Sequence, residues 1–244
     1  MINRILGSTG LQVSEIGLGC EGFTEREGMG TYALVDAAAE AGINYFDLYS
    51  PDPNLRLHLG KALAGRRDQF IIQAHLCSVW KDGQYKRTRK LEEVQAGFED
   101  LLYQLHTDHV EIGMIHYVDS LKDWQAVAEG PVMRYAQQLK QEGRIGHIGL
   151  SSHNPQVAIQ AVKSGLIEVL MFSVNPCYDL QPGDEDLEKL WADESYAKPL
   201  VNMDPQREAL YELCQRQGVG ITVMKPFGGG DLLDEKLSPA GKAL

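Results

Sequence analysis

Three side chains able to hold or move a proton stand at the ends of three apolar runs in this chain. Asp47 closes "INYFD", His75 lies next to last in "FIIQAHL", and His116 lies next to last in "VEIGMIHY". An imidazole titrates near neutral pH whereas a phenol or an ordinary carboxyl does not, so His75 could donate a proton that Asp47 could only orient. Tyr49 follows Asp47 by two residues, a spacing that puts both side chains on one face of an extended segment. The same residues have plainer uses: Tyr49 can pack under the turn of Pro51 and Pro53, and a lone strand histidine can be a satisfied core residue. Metal binding is a further use of two histidines and a carboxylate.

For these residues to meet, parallel strands must carry them. One unit recurs along the chain: an amphipathic helical pattern, a glycine, then a short β-rich run ending in polar residues, the signature of strands joined by crossover helices. The helix "TYALVDAAAEAG" closes at Gly42 before "INYFD". From Arg89 to His106 the residues Leu91, Val94, Phe98, Leu101, Leu102 and Leu105 fall on one helical face. Further helices open at Pro131, at Asn154 and Pro155, and at Asp204 and Pro205, and end at Gly143, Gly165 and Gly218, as proline at a helix start and glycine after its end prescribe.

The strands "HIGLSS", "IEVLMFSVN" and "GITVMKPF" follow these helices and bring the count to six strand-and-helix steps. No GxGxxG turn follows "INYFD", which disfavours a dinucleotide-binding open sheet. A (β/α)8 TIM barrel is the better reading, with residues 1–244 as a single barrel domain. Asp47, His75, His116, Ser151, Ser152, Asn175 and Lys225 then converge on one rim. The acidic stretch from Pro176 to Pro205 is too long for an ordinary connection; it reads as a solvated insertion or, given Trp191 and Tyr196 inside it, as a lid over that rim.

Composition narrows the partners. A formal net charge of −11 and an isoelectric point near 5.1 exclude the broad basic surface that nucleic acid requires. Cys20, Cys77, Cys177 and Cys214 are scattered and form neither a zinc pattern nor a disulfide framework. No apolar run approaches the ~18 residues of a membrane helix, and "MINRILGSTG" lacks a signal peptide's pattern, so a cytoplasmic protein is expected.

"RILGSTGLQVSEIGLGC", "GINYFD", "LGKAL", "MIHYVD", "GRIGHIGLSSHNP" and "VMKPFGGG" resemble, in order and spacing, successive signatures of the aldo/keto reductases. The resemblance covers nearly the whole chain. It implies a reductase that transfers a hydride from NADPH to a small-molecule carbonyl, using an aspartate, a tyrosine, a lysine and a histidine. It also implies that the opening stretch is a hairpin plugging the barrel bottom. The close of the chain resembles a branch that often continues into an iron-sulfur, ferredoxin-like extension.

Asp47 and His116 match the family's aspartate and histidine. The lysine position falls on His75 and the tyrosine position on Asp52, so the proton donor is expected to be His75 or Tyr49, with Asp47 and His116 orienting. Ser151, Ser152 and Asn175 match positions that bind the nicotinamide amide, although the usual glutamine falls on Met171 and the stacking aromatic on Met224. Lys225 with Gly228, Gly229 and Gly230 could cradle a pyrophosphate. The departed tetrad leaves a second reading open, a catalytically degraded barrel acting as a cofactor-binding or regulatory subunit. Only "DLLDEKLSPAGKAL" follows the last glycine run, which predicts a barrel truncated after about its sixth strand and weak NADPH binding.

Overall fold

Four of the described helices start where a side chain accepts from their first amides. The computed structural model describes residues 1–23, 28–180, 183–186 and 202–233; Trp191 and Tyr196 of the expected lid lie outside them. Helix α1 (Gly28–Glu40) is followed by α2 (Pro53–Ala62), whose amides at Asn54 and Leu55 donate to the Asp52 carboxylate. Asp52, which the sequence resemblance sets against the family's tyrosine, is thus a helix cap. Helix α3 (Leu91–Leu105) buries Val94, Phe98, Leu101, Leu102 and Leu105, the face its 3.6-residue spacing predicts. Ser120 caps α4 (Leu121–Ala128), and Pro131 opens α5 (Pro131–Gln141). Asn154 caps α6 (Pro155–Lys163), and the short α7 (Pro176–Asp179) precedes α8 (Pro205–Gln217), capped by Asp204 and ended by left-handed Gly218.

Strands β1 (Asn3–Ile5) and β2 (Gln12–Ser14) form an antiparallel hairpin. Then come β3 (Leu18–Gly19), β4 (Tyr45–Leu48) and β5 (Ile71–Leu76), a second hairpin of β6 (Ser78–Lys81) and β7 (Gln84–Arg87), and β8 (Val110–Ile115), β9 (Ile145–Ser152), β10 (Val169–Ser173) and β11 (Gly220–Met224). Seven of these pair in parallel in the order β11-β10-β9-β8-β5-β4-β3. The expected count of six is corrected by β3: its two residues are too few to show any periodicity, yet they pair with Phe46 and Asp47. Asp47 therefore lies next to last in the second strand of the sheet. Among the described residues β3 pairs only with β4 and β11 only with β10.

The sheet curls. Thr222 of β11 donates to the Gln73 side chain of β5 at 3.2 Å, although three strands separate them in pairing order. Leu6, Val13, Tyr45, Ile112, Met114, Val169 and Met171 pack together on the concave side, each contributing roughly 1.5–3 kcal/mol by burial. The first hairpin closes this interior from below. Asn44, just before β4, bonds Ser14 and Gln12, while the Ser8 amide donates to Gly218 O at 2.7 Å, just before β11. Gly7 has φ +54°, and a Cβ there would stand 2.4 Å from Gly218 O, so only glycine lets the hairpin seat against that flank.

The β6–β7 hairpin was not foreseen from the sequence. Its turn residues Asp82 and Gly83 have φ of 56° and 75°, the paired left-handed conformation of a two-residue turn. No helix among the described residues is long and apolar enough to cross a membrane.

Candidate active site

Parallel strands in register bring their carboxyl-terminal side chains to one end of the sheet. Asp47 Oδ1 lies 2.9 Å from His75 Nε2, and His75 Nδ1 lies 2.7 Å from His116 Nδ1. Gln73 sits on the same face of β5, one turn of the pleat below His75. Its amide donates to Asp47 Oδ1 at 2.6 Å, and its carbonyl accepts from Tyr45 at 2.5 Å and from Thr222. Asp47 is thus held from beneath by a buried amide that itself has no freedom to turn.

The line of bonds has a fourth member. His116 Nε2 lies 2.9 Å from the Tyr85 hydroxyl, which the β6–β7 hairpin carries over the rim. From His75 through His116 to Tyr85 exposure rises: His75 is 4% exposed and Tyr85 40%. Sequence reasoning missed Tyr85 because it lies outside the helix-and-strand rhythm. The signal was present in Asp82-Gly83 between "SVWK" and "QYKR", a turn pair flanked by strand formers.

Tyr49 contributes its ring and not its hydroxyl. The ring stacks on His116 at 5.9 Å between centroids and 12° between planes, while the hydroxyl donates to Glu21 Oε1 at 2.5 Å. Burial, and then the bond to Glu21, hold the Tyr49 phenol well above its ordinary pKa. Its proton is directed away from the histidines, and the expectation that Tyr49 could donate to substrate does not fit this geometry.

Burial also dominates at His116, whose pKa is pushed down to about 2 with help from His75, Arg89 and Arg87. His116 is therefore neutral at pH 7, with one ring nitrogen a donor and the other an acceptor. Burial raises the Tyr85 phenol above its ordinary value. Among the described residues no group of three or more His, Cys, Asp or Glu side chains is disposed to hold a metal.

The expected cofactor residues share the rim but differ in what they can offer. Ser152 is fully buried and donates to Asp119 Oδ1 at 3.0 Å, inside a network completed by His153. Asn175 spends its amide on the chain: Nδ2 donates to Lys225 O at 3.0 Å and Oδ1 accepts from the Tyr178 amide at 2.9 Å. Ser151 Oγ accepts from the Tyr117 amide at 2.7 Å and keeps its own proton for another acceptor.

Lys225 is held in the left-handed region at φ 53°, and burial lowers its pKa while Asp119 and Glu21 raise it. Beyond it Gly228 and Gly230 have φ of 62° and 114°, and a Cβ on Gly230 would meet nothing within 4 Å. A cation beside an open glycine turn is a donor set that fits an anionic group such as a phosphate. A cleft of about 340 Å³, lined by Arg87, Arg89, Tyr117 and Asp123 among others, opens beside His116. A larger hollow of about 700 Å³ lies by Arg67 and His109, before the amino ends of β5 and β8 and away from this rim.

A model described as "Aldo/keto reductase family" matches residues 15–243. The chain belongs to the aldo/keto reductase family. Relatives bear out an oxidoreductase lineage: the uncharacterized oxidoreductase YqkF of Bacillus subtilis (strain 168) is 29% identical over 181 residues, 70% of this chain and 56% of that protein. The uncharacterized oxidoreductase YrpG of the same organism is 29% identical over 161 residues, 60% of this chain and 48% of that protein. The chain thus spans about half the length of these two relatives. The aldo-keto reductase AKR11C1 from Bacillus halodurans, solved in its holo form, superposes with a TM-score of 0.73 at 25% identity, over 95% of this chain and 68% of that one. Of the residues that the sequence resemblance sets against the family's tetrad, Asp47, His75 and His116 lie together in one hydrogen-bonded line, and Asp52 caps a helix.

Proposed function

We propose that this protein reduces a small-molecule carbonyl, an aldehyde or a ketone, to an alcohol with NADPH as reductant. The observation that carries the reading is the hydrogen-bonded line from Asp47 through His75 to His116 at the carboxyl ends of adjacent parallel strands, where barrel enzymes keep their chemistry. When bound, the cofactor supplies a hydride for the carbonyl carbon. Lys225, Gly228 and Gly229 would hold its pyrophosphate and Ser151 the nicotinamide amide, with Asn175 positioning Lys225 and Ser152 bracing the strand end beneath.

The chain's own residues then manage one proton. A carboxylate at Asp47 accepts from His75 Nε2, which fixes the imidazole's orientation and leaves Nδ1 facing His116. Neutral His116 can receive a proton at one nitrogen as it releases one from the other, so it passes charge without retaining it. Tyr49, stacked on His116, excludes water from one face of that ring.

The test is loss of NADPH absorbance with a carbonyl panel of aromatic aldehydes, aliphatic aldehydes, ketones and quinones. Substrate-dependent oxidation of NADPH supports the reading. Cofactor binding with no turnover on any member would overturn it in favour of the regulatory barrel that the departed tetrad also allows.

A further inference from the structure

Reduction of a carbonyl needs an acid that reaches the substrate oxygen. Neither histidine can be that acid. Both ring nitrogens of His75 are engaged, by Asp47 and His116, and the residue is 4% exposed. Both nitrogens of His116 are engaged too, by His75 and Tyr85. Tyr49 points its hydroxyl at Glu21. The remaining group on this line is the Tyr85 hydroxyl, which ends the relay and stands at its most exposed point.

We infer that Tyr85 is the catalytic acid of this enzyme, a tyrosine supplied by the β6–β7 hairpin in place of one at the end of the Asp47 strand. The inference rests on the carbonyl-reductase reading and adds to it the identity of the proton donor.

The proton bookkeeping closes on the observed bonds. Let His75 carry one added proton, so that Nε2–H donates to Asp47 and Nδ1–H donates to His116 Nδ1. His116 then donates from Nε2 to the Tyr85 oxygen, which turns the phenolic O–H outward to the substrate. As the carbonyl carbon accepts a hydride from the reduced nicotinamide, the C=O π pair moves onto oxygen and forms a bond to the Tyr85 proton. Tyr85 oxygen regains a proton from His116 Nε2, and His116 Nδ1 regains one from His75 Nδ1. Asp47 keeps its bond to His75 Nε2–H throughout. The products are the alcohol, the oxidised nicotinamide and a relay one proton poorer, which water at the exposed Tyr85 end restores. His116 never becomes an imidazolium at any step, as its partial burial and the neighbouring charges of His75 and Arg89 demand.

The hairpin has the geometry this role needs. Tyr85 pairs with Trp80 across the two-residue Asp82-Gly83 turn, and its ring packs edge-on to both Tyr49 and His116 at 6.3 and 6.0 Å, so the hydroxyl is aimed by three contacts and not by a free loop.

The experiment compares the parent chain with Tyr85→Phe, using NADPH and 4-nitrobenzaldehyde, with cofactor affinity read by nicotinamide fluorescence. Loss of a general acid lowers kcat by roughly 10²–10⁴-fold, with KM and NADPH affinity unchanged within about threefold and the solvent deuterium isotope effect on kcat altered. Tyr85→Phe turning over at the parent rate overturns the inference and leaves the carbonyl-reductase reading standing. A parent protein that binds NADPH but oxidises it with no carbonyl overturns both. Should Tyr85→Phe fail to fold, 3-fluorotyrosine placed at position 85 keeps the shape and makes the phenol more acidic. A changed kcat with a changed solvent isotope effect then supports the role, and an unchanged pair of values overturns it.

Discussion

Asp47 does not donate a proton in this arrangement; it decides where the others sit. Its Oδ1 takes the amide of Gln73 at 2.6 Å and faces His75 Nε2 at 2.9 Å. Replacing it by asparagine keeps the shape but offers His75 a neutral partner whose amide can rotate, so the imidazole loses the anion that fixes its tautomer. Asp47→Asn is expected to lower kcat for carbonyl reduction by roughly 10²–10⁴-fold, the range spanned by acid-base catalysis, with melting temperature little changed. Steady-state kinetics at saturating NADPH check this, and a parent-like kcat would remove Asp47 from the site. At this scale much was legible beforehand. Asp47, His75 and His116 stand out because each closes a recognisable apolar run. The hydroxyl of Tyr49 was not legible, since period-two alternation assigns a face but not a hydrogen-bond partner, and Glu21, which captures that hydroxyl, lies in a short 3-10 turn without periodicity. The partners of Asn175 and Ser152 were not legible for a related reason: short polar side chains bond nearby backbone and one another, and sequence does not say which partner wins.

Elements tell a similar story. Cap and stop signals located α5, α6 and α8 within a residue or two, because capping chemistry is local and is written in adjacent residues. Strand β3 escaped notice because two residues cannot display a period, and its place in the sheet is set by pairing with β4. The β6–β7 hairpin interrupts the alternation that organised the rest of the reading, and it delivers Tyr85. Gly83 sits at φ 75° with open space where a Cβ would stand, so alanine there costs backbone strain alone, about 1–2 kcal/mol confined to the hairpin. Gly83→Ala should therefore loosen residues 78–87 locally. Amide exchange in the hairpin is expected to speed up about fivefold or more while α3 and β8 keep their protection. The accompanying fall in kcat, without a fall in NADPH affinity, would tie the hairpin's order to turnover. Unchanged exchange in the hairpin would show that the turn does not depend on glycine.

For the whole molecule, the proton chemistry at His116 has a cost in stability that pH exposes. In the folded protein burial pushes its pKa down to about 2, whereas an unfolded histidine titrates near 6.5. Between those values the unfolded chain binds the extra proton, so stability rises with pH there and falls as pH drops below about 6.5. The carboxyls that the fold holds below their ordinary range act lower on the scale. At Asp119 burial is outweighed by bonds from His153 and Ser152, and at Glu168 by bonds from Lys140 and His147. Their stabilising contributions are lost as pH falls toward and below about 4. The interval from pH 7 to pH 5 therefore isolates the histidine. One proton per molecule across it amounts to a loss of roughly 1–2 kcal/mol, read as a drop in urea midpoint at constant m-value. His116→Gln, which has no proton to gain, is expected to be less stable than the parent at pH 7 through its lost bonds, yet to lose less than half as much on going to pH 5. A variant that keeps the parent's full pH dependence would show that the acid lability resides elsewhere, and that His116 is not held neutral by the site it serves.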